Sequence, residues 1–212
     1  MSKLLIFEGI DGSGKTTQLK KLRDYLELKN QKVFVTREPG GSEFGEECRG
    51  LFLNNKLDGL TEAFLAFAAR NDHIAQKIKP ALQLGHWVLC DRFSDSTIAY
   101  QGYGRGVDIT FLKKICSKIE EHLNEFRIIY IETKLETCLQ RIEKRGAIEQ
   151  RFDNSSKLFF ERIIEGYSKI TKERGDKLIR INGNRAVDTV FNDIIRSVPE
   201  LRRLKLTSER KG

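Results

Sequence analysis

Short apolar runs, many of them β-branched, recur along the chain and predict five strands. Few polar positions interrupt these runs, which is typical of strands that are buried on both faces of a parallel sheet. Segments with a helical pattern separate the runs, so we expect an α/β fold with helices on both faces of the sheet. The runs are Lys3–Phe7, Lys32–Thr36, Trp87–Cys90, Arg127–Glu132 and Lys177–Ile181.

Apolar residues at helical spacing predict a long helix between the second and third strands. We expect Thr61 to cap its start and Gly85 to end it, with Pro80 kinking it or dividing it in two. The side chains that this helix is expected to bury are Phe64, Ala68 and Ile74.

The same spacing predicts three further helices. One follows the glycine-rich loop after the first strand, a second follows the capping-box spacing of Thr133–Glu136, and a third begins near Ser155 and ends at Gly175. Their expected inward faces are Leu19, Leu22 and Leu26, then Leu135, Leu139 and Ile142, then Phe160, Ile163, Ile164 and Tyr167.

Length and charge narrow the classes of function. A chain of 212 residues suits one domain, 1–212, with a small lid at about 141–155 and a basic tail at about 201–212 that we expect to be solvated. No apolar run approaches the ~20 residues of a membrane span, and no signal-peptide pattern precedes the first strand. We therefore expect a cytoplasmic protein with no membrane partner. The net charge of +8 favours anionic partners, either nucleic acid or small phosphates.

The four cysteines are widely spaced, and the chain has no C-x-x-C pair and no clustered histidines. This spacing argues against a disulfide framework and against a zinc site. We expect buried free thiols at most of these positions, which are Cys48, Cys90, Cys116 and Cys138.

The segment from Gly9 to Thr16 matches the phosphate-loop pattern G-x-x-x-x-G-K-[ST] at every fixed position. It lies between a predicted strand and a predicted helix, which is the context that the motif requires. Its glycines allow backbone amides to approach an anion closely, and the helix N-terminus attracts the same anion. Lys15 can then reach the outer phosphates of a nucleoside triphosphate, and the Thr16 hydroxyl can ligate a magnesium ion.

A second anion site is predicted from charged residues at the strand ends. Asp91 ends the third strand, where the second motif of phosphate-loop sites has a carboxylate that assists the magnesium ion. Guanidinium groups pair with phosphate oxygens two bonds at a time, so several arginines near such ends indicate a second phosphate. One of Arg141, Arg145 and Arg151, after the fourth strand, is expected to close over the transferring phosphoryl group. The arginines assigned to the second phosphate are Arg37, Arg70, Arg92 and Arg105.

Taken together, these motifs resemble those of the thymidylate kinase family. The resemblance implies a P-loop nucleoside-triphosphate-hydrolase-like fold with a five-stranded parallel sheet. It implies transfer of the terminal phosphoryl group of ATP to thymidine monophosphate (dTMP), with Mg²⁺, in dTTP synthesis. It also implies a homodimer and no nucleic-acid partner. The matching stretches, within residues 3 to 182, are Phe7–Thr17, Thr36–Gly41, Phe67–Arg70, Asp91–Phe93, Ser96, Ala99–Gly102, Gly104–Gly106 and a lid region from Arg145 to Tyr167.

The resemblance also assigns roles to individual residues. It implies that Asp11 contacts the acceptor sugar, that Tyr100 packs where a ribose 2′-hydroxyl would lie, and that Gln101 lies near the base. The residues implied for ATP are Gly9, Ile10, Asp11, Gly12, Ser13, Gly14, Lys15, Thr16 and Thr17. Those implied for dTMP are Asp11, Arg37, Glu38, Phe67, Arg70, Arg92, Ser96, Tyr100, Gln101 and Arg105. The implied metal ligands are Thr16 and Asp91, and the implied catalytic charges are Lys15, Arg92, Arg145 and Arg151.

The chain departs from the family pattern at three places, one of which is Phe93 in place of the frequent tyrosine or histidine after Asp-Arg, a change that we expect to be tolerated. The aromatic residue that stacks on thymine usually lies four positions before the helix arginine, but that position is Ala66 here and Phe67 follows it. Either the helix register shifts or another aromatic residue stacks on the base. The lid reads Gln150–Asp153 where the family commonly has Asp-Arg-aromatic-Glu, which leaves open whether Arg145 or Arg151 acts.

Two alternative functions remain compatible with the sequence. A deoxynucleoside kinase also begins with a Glu-Gly phosphate loop, but it needs a carboxylate base, such as Glu38 or Glu8, to activate a neutral sugar hydroxyl. A non-catalytic nucleotide-binding protein or a nucleic-acid-binding module is compatible with the positive charge.

Overall fold

A five-stranded parallel sheet forms the centre of the molecule in the computed structural model, which describes residues 2–145 and 157–209. The strand order is β2-β3-β1-β4-β5, and each neighbouring pair is parallel. This arrangement confirms the α/β class predicted from the alternation of strands and helices. The strands are β1 (Leu4–Glu8), β2 (Val33–Arg37), β3 (Trp87–Asp91), β4 (Arg127–Glu132) and β5 (Leu178–Asn182).

All five predicted strands are present, and their ends differ from the predicted ones by at most one residue. The difference matters at the carboxyl ends, because β1 includes Glu8, β2 includes Arg37 and β3 includes Asp91. Asp91 is paired in register with Phe7 of β1 and with Arg37 of β2. The three polar residues therefore lie along one edge of the sheet, where ligands bind in open α/β sheets.

Helices connect the strands on both faces of the sheet. Two π-helical segments, Ile74–Ile78 and Ile98–Gly104, interrupt the α-helical ones, and a short 3₁₀ turn spans Gly175–Lys177. The α-helices are α1 (Lys15–Leu28), α2 (Glu43–Asn54), α3 (Gly59–His73), α4 (Lys79–Gln83), α5 (Ser94–Thr97), α6 (Ile109–Glu120), α7 (Leu135–Arg145), α8 (Lys157–Glu173), α9 (Val187–Ser197) and α10 (Pro199–Glu209).

The sheet separates two hydrophobic cores. Alternate residues of a strand point to opposite faces, so Leu4 and Ile6 join one core while Leu5 and Phe7 join the other. The first core contains the apolar faces of α3, α6 and α8. The second contains those of α1 and α9, including the predicted face Leu19, Leu22 and Leu26 of α1.

Helix α3 differs from the prediction in its cap and in its buried face. Asp58, not Thr61, is the N-cap, and its carboxylate accepts hydrogen bonds from the backbone N–H groups of the first turn. Ile74 is buried as expected, but Phe64 and Ala68 are exposed. The helix carries two apolar faces, and the spacing alone does not tell which of them points inward.

The break in this helix lies where Pro80 predicts it. The π-helical segment Ile74–Ile78 divides α3 from α4 just before the proline. Pro80 has no N–H to continue the α-helical hydrogen-bond ladder, and a π turn is one of the local adjustments that accommodate such a gap. The helix then ends at Gly85, whose φ of 77° is characteristic of a helix terminus.

The carboxyl-terminal segment differs from the predicted solvated tail. Residues Pro199–Glu209 form α10, and Leu201 is completely buried in the second core. Leu204 packs against the same core, whereas Arg202 and Arg203 are exposed, so the expected solvation holds for these two arginines and fails for the two leucines. All four cysteines are buried and free, as expected. Within residues 2–145 and 157–209, no helix has the length and apolar character that crossing a membrane requires.

Candidate active site

The phosphate loop connects β1 to α1 and has the geometry of an anion cradle. Gly12 has φ of +78°, and a Cβ atom there would lie 2.4 Å from the Cys138 carbonyl oxygen, so only glycine fits. Gly14 is the N-cap of α1 and brings no side chain to the start of the helix. The loop amides and the positive end of the helix are thus directed at the same position.

Lys15 lies under this loop. Its Nζ atom donates to the carbonyl oxygens of Gly9 at 2.8 Å and Ile10 at 2.9 Å. Burial and the charge of Arg92 together lower the pKa of Lys15 to about 8, although the nearby carboxylates oppose the shift. An anionic ligand would favour the charged ammonium form, which makes Lys15 a natural partner for phosphate oxygens.

Thr16 and Asp91 meet beside the loop as the sequence predicts. The Thr16 hydroxyl donates to Asp91 Oδ2 at 2.9 Å. The other carboxylate oxygen, Oδ1, is buried and has no hydrogen-bond partner within the described part of the chain. A hydroxyl and a carboxylate with a spare buried oxygen suit Mg²⁺, which prefers oxygen ligands and retains several waters.

A second cavity opens beside the phosphate loop, with about 560 Å³ of empty space. Its lining combines a polar end with an apolar wall. Seven residues that the sequence assigned to the acceptor lie in it, namely Asp11, Glu38, Arg70, Arg92, Ser96, Tyr100 and Gln101.

Arg92 joins the cavity to the phosphate loop. Its guanidinium group donates to the Asp11 carboxylate, to the Gly9 carbonyl at 3.2 Å and to the Ser96 hydroxyl at 3.2 Å. It also lies 5.0 Å from the centroid of the Tyr100 ring. The backbone of Arg92 has φ of +70°, which is uncommon for a residue with a side chain and occurs mostly at functional sites.

The Asp11 carboxylate points into this cavity. Tyr100 donates its hydroxyl to Asp11 Oδ2 at 2.7 Å, and Arg92 binds the other oxygen. Burial alone would raise the pKa of Asp11, but the charges of Arg92 and Lys15 hold it below its ordinary value. Asp11 is therefore ionised, and its carboxylate accepts hydrogen bonds between the phosphate loop and the second cavity.

Arg70 lines the cavity and carries one donor that no described residue accepts. Its Nε donates to Glu38 Oε2 at 2.6 Å and its Nη2 to the Thr97 hydroxyl at 2.9 Å. The third nitrogen, Nη1, is buried and has no hydrogen-bond partner among the residues that the structure describes. Leaving such a donor unpaired is costly, so the geometry is that of a site awaiting an anionic or carbonyl oxygen.

Glu38 is itself held by a chain of buried groups. His73 Nδ1 lies 3.0 Å from Glu38 Oε1, and His73 Nε2 lies 2.7 Å from the Thr36 hydroxyl. This chain connects the end of β2 to Arg70 and fixes the direction of its guanidinium group. Both oxygens of Glu38 are thus occupied by fixed partners.

Three residues assigned to the acceptor from the sequence lie outside the cavity lining. Arg37 is more than half exposed and pairs with Glu46 at 3.0 Å. Arg105 lies 3.6 Å from Glu62 and over the Phe159 ring. Phe67 is buried in the first core, and the neighbouring Ala66 lines the cavity. The placement of Phe67 in the pocket was therefore wrong, because the helix turns its neighbour towards the cavity.

Other residues of the cavity were not found by sequence analysis. Phe52 and Arg49 of α2 line it, and Arg49 donates to the Pro39 carbonyl at 3.1 Å. No motif marks either residue, and their place depends on how α2 packs against α3. Glu8 accepts hydrogen bonds from the backbone N–H groups of Phe93 and Ser96 and so fixes the start of α5 under the cavity.

A further cleft lies on the other side of the phosphate loop. Ser13, Gly14 and Thr17 line it together with Arg141, which donates to the Ser13 carbonyl at 3.2 Å and to the Gly183 carbonyl at 3.0 Å. Arg141 is thus an arginine after β4 that the structure places at the loop. Arg145 ends α7, and Arg151 lies outside the described residues, so the choice between them stays open.

The phosphate loop and the arginine-lined cavity face each other across Asp11 and Arg92. This arrangement, on a five-stranded parallel sheet, defines the class of the nucleoside monophosphate kinases.

Comparisons with known proteins identify the family within this class. A family model described as thymidylate kinase matches residues 7–194. A thymidylate kinase of Staphylococcus epidermidis is 39% identical, over 93% of this chain and 98% of its own, and one of a Geobacillus species is 42% identical, over 91% and 93%. A crystal structure of thymidylate kinase from Ehrlichia chaffeensis has a TM-score of 0.71 and 33% identity, covering 91% of this chain and 96% of its own. The chain belongs to the thymidylate kinase family.

Proposed function

We propose that the protein transfers the terminal phosphoryl group of ATP to dTMP and releases ADP and thymidine diphosphate. The observation that carries this proposal is the buried, unpaired Nη1 of Arg70 in a cavity that Arg92 joins to the phosphate loop. A phosphate held there would lie next to a second phosphate held by the loop. Phosphoryl transfer needs mainly this alignment together with charge stabilisation.

The donor side of the site is built from the phosphate loop. The amides from Gly9 to Thr17 and the ammonium group of Lys15 would hold the ATP phosphates. Thr16 and Asp91 would hold Mg²⁺, as their geometry supports. The metal ion, when bound, offsets the negative charge of the phosphate oxygens. In our proposal Arg141 supports this side by fixing the carbonyl groups of the loop.

The acceptor side is built from the second cavity. Arg70 and Arg92 would bind the phosphate of dTMP, and Asp11 would accept a hydrogen bond from its sugar. Tyr100 is 4% exposed and fixed by Asp11, so it would press against the sugar where a ribose carries its 2′-hydroxyl. Gln101 would lie along the edge of the base.

The apolar wall of the cavity supports a different stacking residue from the usual one. Ala66 leaves room on α3, and Phe52 lines the cavity from α2, which packs against α3. We propose that Phe52 supplies the aromatic surface for the base. This is the second of the two alternatives that the sequence leaves open, namely that another aromatic residue stacks.

The remaining expectations from the resemblance are kept as proposals. Closure by Arg145 or Arg151 would complete the charge around the transferring group. A homodimer in the cytoplasm is the proposed state of the protein. Arg37 and Arg105 have other partners in the structure, so we give them no contact with the acceptor phosphate.

The buried carboxylates argue against a deoxynucleoside kinase. Activation of a neutral hydroxyl needs a carboxylate that is available to accept a proton. Glu38 is occupied by Arg70 and His73, and Glu8 accepts hydrogen bonds from Phe93, Ser96 and Tyr167. Neither group is placed as a general base.

An acceptor screen tests the proposed function. The protein is incubated with ATP, Mg²⁺ and either dTMP, thymidine or another nucleoside monophosphate, and ADP production is followed. We expect dTMP to be the best acceptor and thymidine to be inactive. Lys15→Ala should keep the circular dichroism spectrum and lose turnover by roughly 100-fold or more. Arg180→Ala, which removes an arginine of β5, should leave turnover unchanged and serves as the control. Phosphorylation of thymidine, or turnover by Lys15→Ala, would contradict the proposal.

A further inference from the structure

A completely buried carboxylate lies behind the cavity. Glu62 of α3 has no exposed surface and does not line the cavity itself. Its Oε2 accepts a hydrogen bond from Nε2 of Gln101 at 3.0 Å, and its Oε1 lies 3.6 Å from Nη2 of Arg105. Gln101 does line the cavity, so Glu62 can act on a ligand through this amide.

The carboxylate allows only one orientation of the Gln101 amide. An ionised carboxylate accepts hydrogen bonds and cannot donate them, so the amide nitrogen must face Glu62. If the amide were turned by 180°, Oε1 of Gln101 would face a carboxylate oxygen at about the same distance. Two buried acceptor oxygens would then face each other in place of a donor and an acceptor, which is strongly unfavourable.

A fixed amide distinguishes the two kinds of pyrimidine edge. Thymine and uracil present a donor at N3 and an acceptor oxygen at C4, so they pair with an amide oxygen opposite N3 and an amide N–H opposite C4. Cytosine presents an acceptor at N3 and a donor amino group at C4, so it needs the amide reversed. A site whose polar group cannot turn rejects the wrong edge, because the site's own groups are then left unpaired.

We propose that Glu62 is a specificity-determining residue that selects thymine over cytosine by locking the orientation of the Gln101 amide. The inference rests on the proposed function, in that dTMP occupies the cavity with its base beside Gln101. Glu62 touches no reacting atom, so it is a positioning residue and acts on substrate choice.

Arg105 makes the consequence of Glu62→Gln specific. A guanidinium group only donates, so the new glutamine would turn its oxygen towards Arg105 and its amide nitrogen towards Gln101. Gln101 would then present its oxygen to residue 62 and reverse its amide. The isosteric change should weaken binding of dTMP and at the same time improve binding of dCMP.

The test measures kcat/KM of the wild type and of Glu62→Gln with dTMP, dCMP and dUMP, and the binding of each monophosphate by calorimetry. We expect the ratio of dTMP to dCMP to fall roughly tenfold or more, as for one reversed buried hydrogen bond. The ratio of dTMP to dUMP should stay constant, because these bases share the N3 and C4 groups. A purely structural role would lower all three values together and would overturn the proposal.

Matched variants protect the test against a folding defect. Glu62→Asp keeps a group that only accepts hydrogen bonds, so it should retain the preference for dTMP. Glu62→Asn introduces a side chain of the same size as aspartate but with an amide that can donate, so it should lose this preference. Glu200→Gln changes another buried carboxylate, which pairs with Arg127 away from the cavity, and should leave both ratios unchanged. If the wild type phosphorylates none of the monophosphates, the proposed function fails. If it prefers dTMP and Glu62→Gln keeps that preference, only this inference fails.

Discussion

Glu8 shows how the environment of a single residue changes its chemistry. It lies at the end of β1 and is almost completely buried. Burial and the charge of Asp95 together raise the pKa of Glu8 to about 7. Hydrogen bonds from Ser96 and Tyr167 and the charge of Arg92 oppose this shift without cancelling it. The carboxyl group that supports the start of α5 is thus protonated more readily than an ordinary glutamate.

This shift predicts a pH-dependent contribution of Glu8 to stability. The folded state keeps the proton up to about pH 7, whereas an ordinary glutamate loses it near pH 4.5. The contribution is complete below pH 4.5 and is lost as the pH rises through 7. The free energy of unfolding of the wild type, measured relative to Glu8→Gln, should therefore fall by up to about 3 kcal/mol over this range. Urea unfolding at several pH values checks this, and parallel profiles for the two proteins would contradict it.

At the scale of elements, the close packing of α8 against the π-helical segment Ile98–Gly104 contributes to the stability of the fold. Gly166 of α8 lies against Tyr103, and a Cβ atom at Gly166 would lie 2.6 to 2.9 Å from three atoms of that side chain. These atoms belong to the inner part of the tyrosine, so they cannot move aside easily. The glycine therefore lets the segment that carries Tyr100 and Gln101 approach α8 closely.

The sign of the change in stability caused by Gly166→Ala should reveal this contact. Alanine favours a helix over glycine by about 1 kcal/mol, but overpacking costs about 1–3 kcal/mol, so we expect a net loss of stability. In a Tyr103→Ala background the clash is gone, and the same change should stabilise the protein. Gly50→Ala in α2 is the matched control, because nothing lies within 4 Å of its Cβ position, and it should stabilise. Denaturant unfolding measures the stability of each variant against its own background, which is either the wild type or Tyr103→Ala. A stabilising Gly166→Ala in the wild type would exclude the contact.

The elements that could be predicted from the sequence are those with local signals. The strands have continuous apolar runs and the phosphate loop has a fixed spacing, so both were found with small errors at the ends. Helix α3 was placed correctly along the chain, but its buried face was misjudged, because Phe64 and Ala63 are both apolar and only packing decides which of them is buried. Phe67 was assigned to the cavity by the resemblance, and the sequence left open whether the helix register shifts or another aromatic residue stacks on the base.

At the scale of the whole molecule, long-range pairing assembles the site. Arg70 and Asp11 are far apart in sequence, and the parallel sheet with its crossover helices brings their elements to one edge. Sequence motifs identified which residues carry charge, and the resemblance assigned them to two phosphates. Neither the motifs nor the resemblance could identify Glu62 or Phe52, because the role of each depends on the packing of α3 against its neighbours.

The outer face of α3 predicts how two copies of the chain would pair. Leu60, Phe64 and Ala68 lie at four-residue spacing and are all exposed, and Phe64 is 53% exposed. Exposed apolar patches occur at protein–protein interfaces, so we propose that this stripe forms the contact of the proposed homodimer. Phe64→Glu would bury an unpaired charge in this interface. The dissociation constant of its dimer should therefore be roughly 100-fold higher than that of the wild-type dimer. Light scattering over a range of concentrations measures the mass. Leu28→Glu, on α1 at the opposite face of the sheet, should remain dimeric. A dimeric Phe64→Glu, or a wild type that is monomeric at every concentration, would exclude this interface.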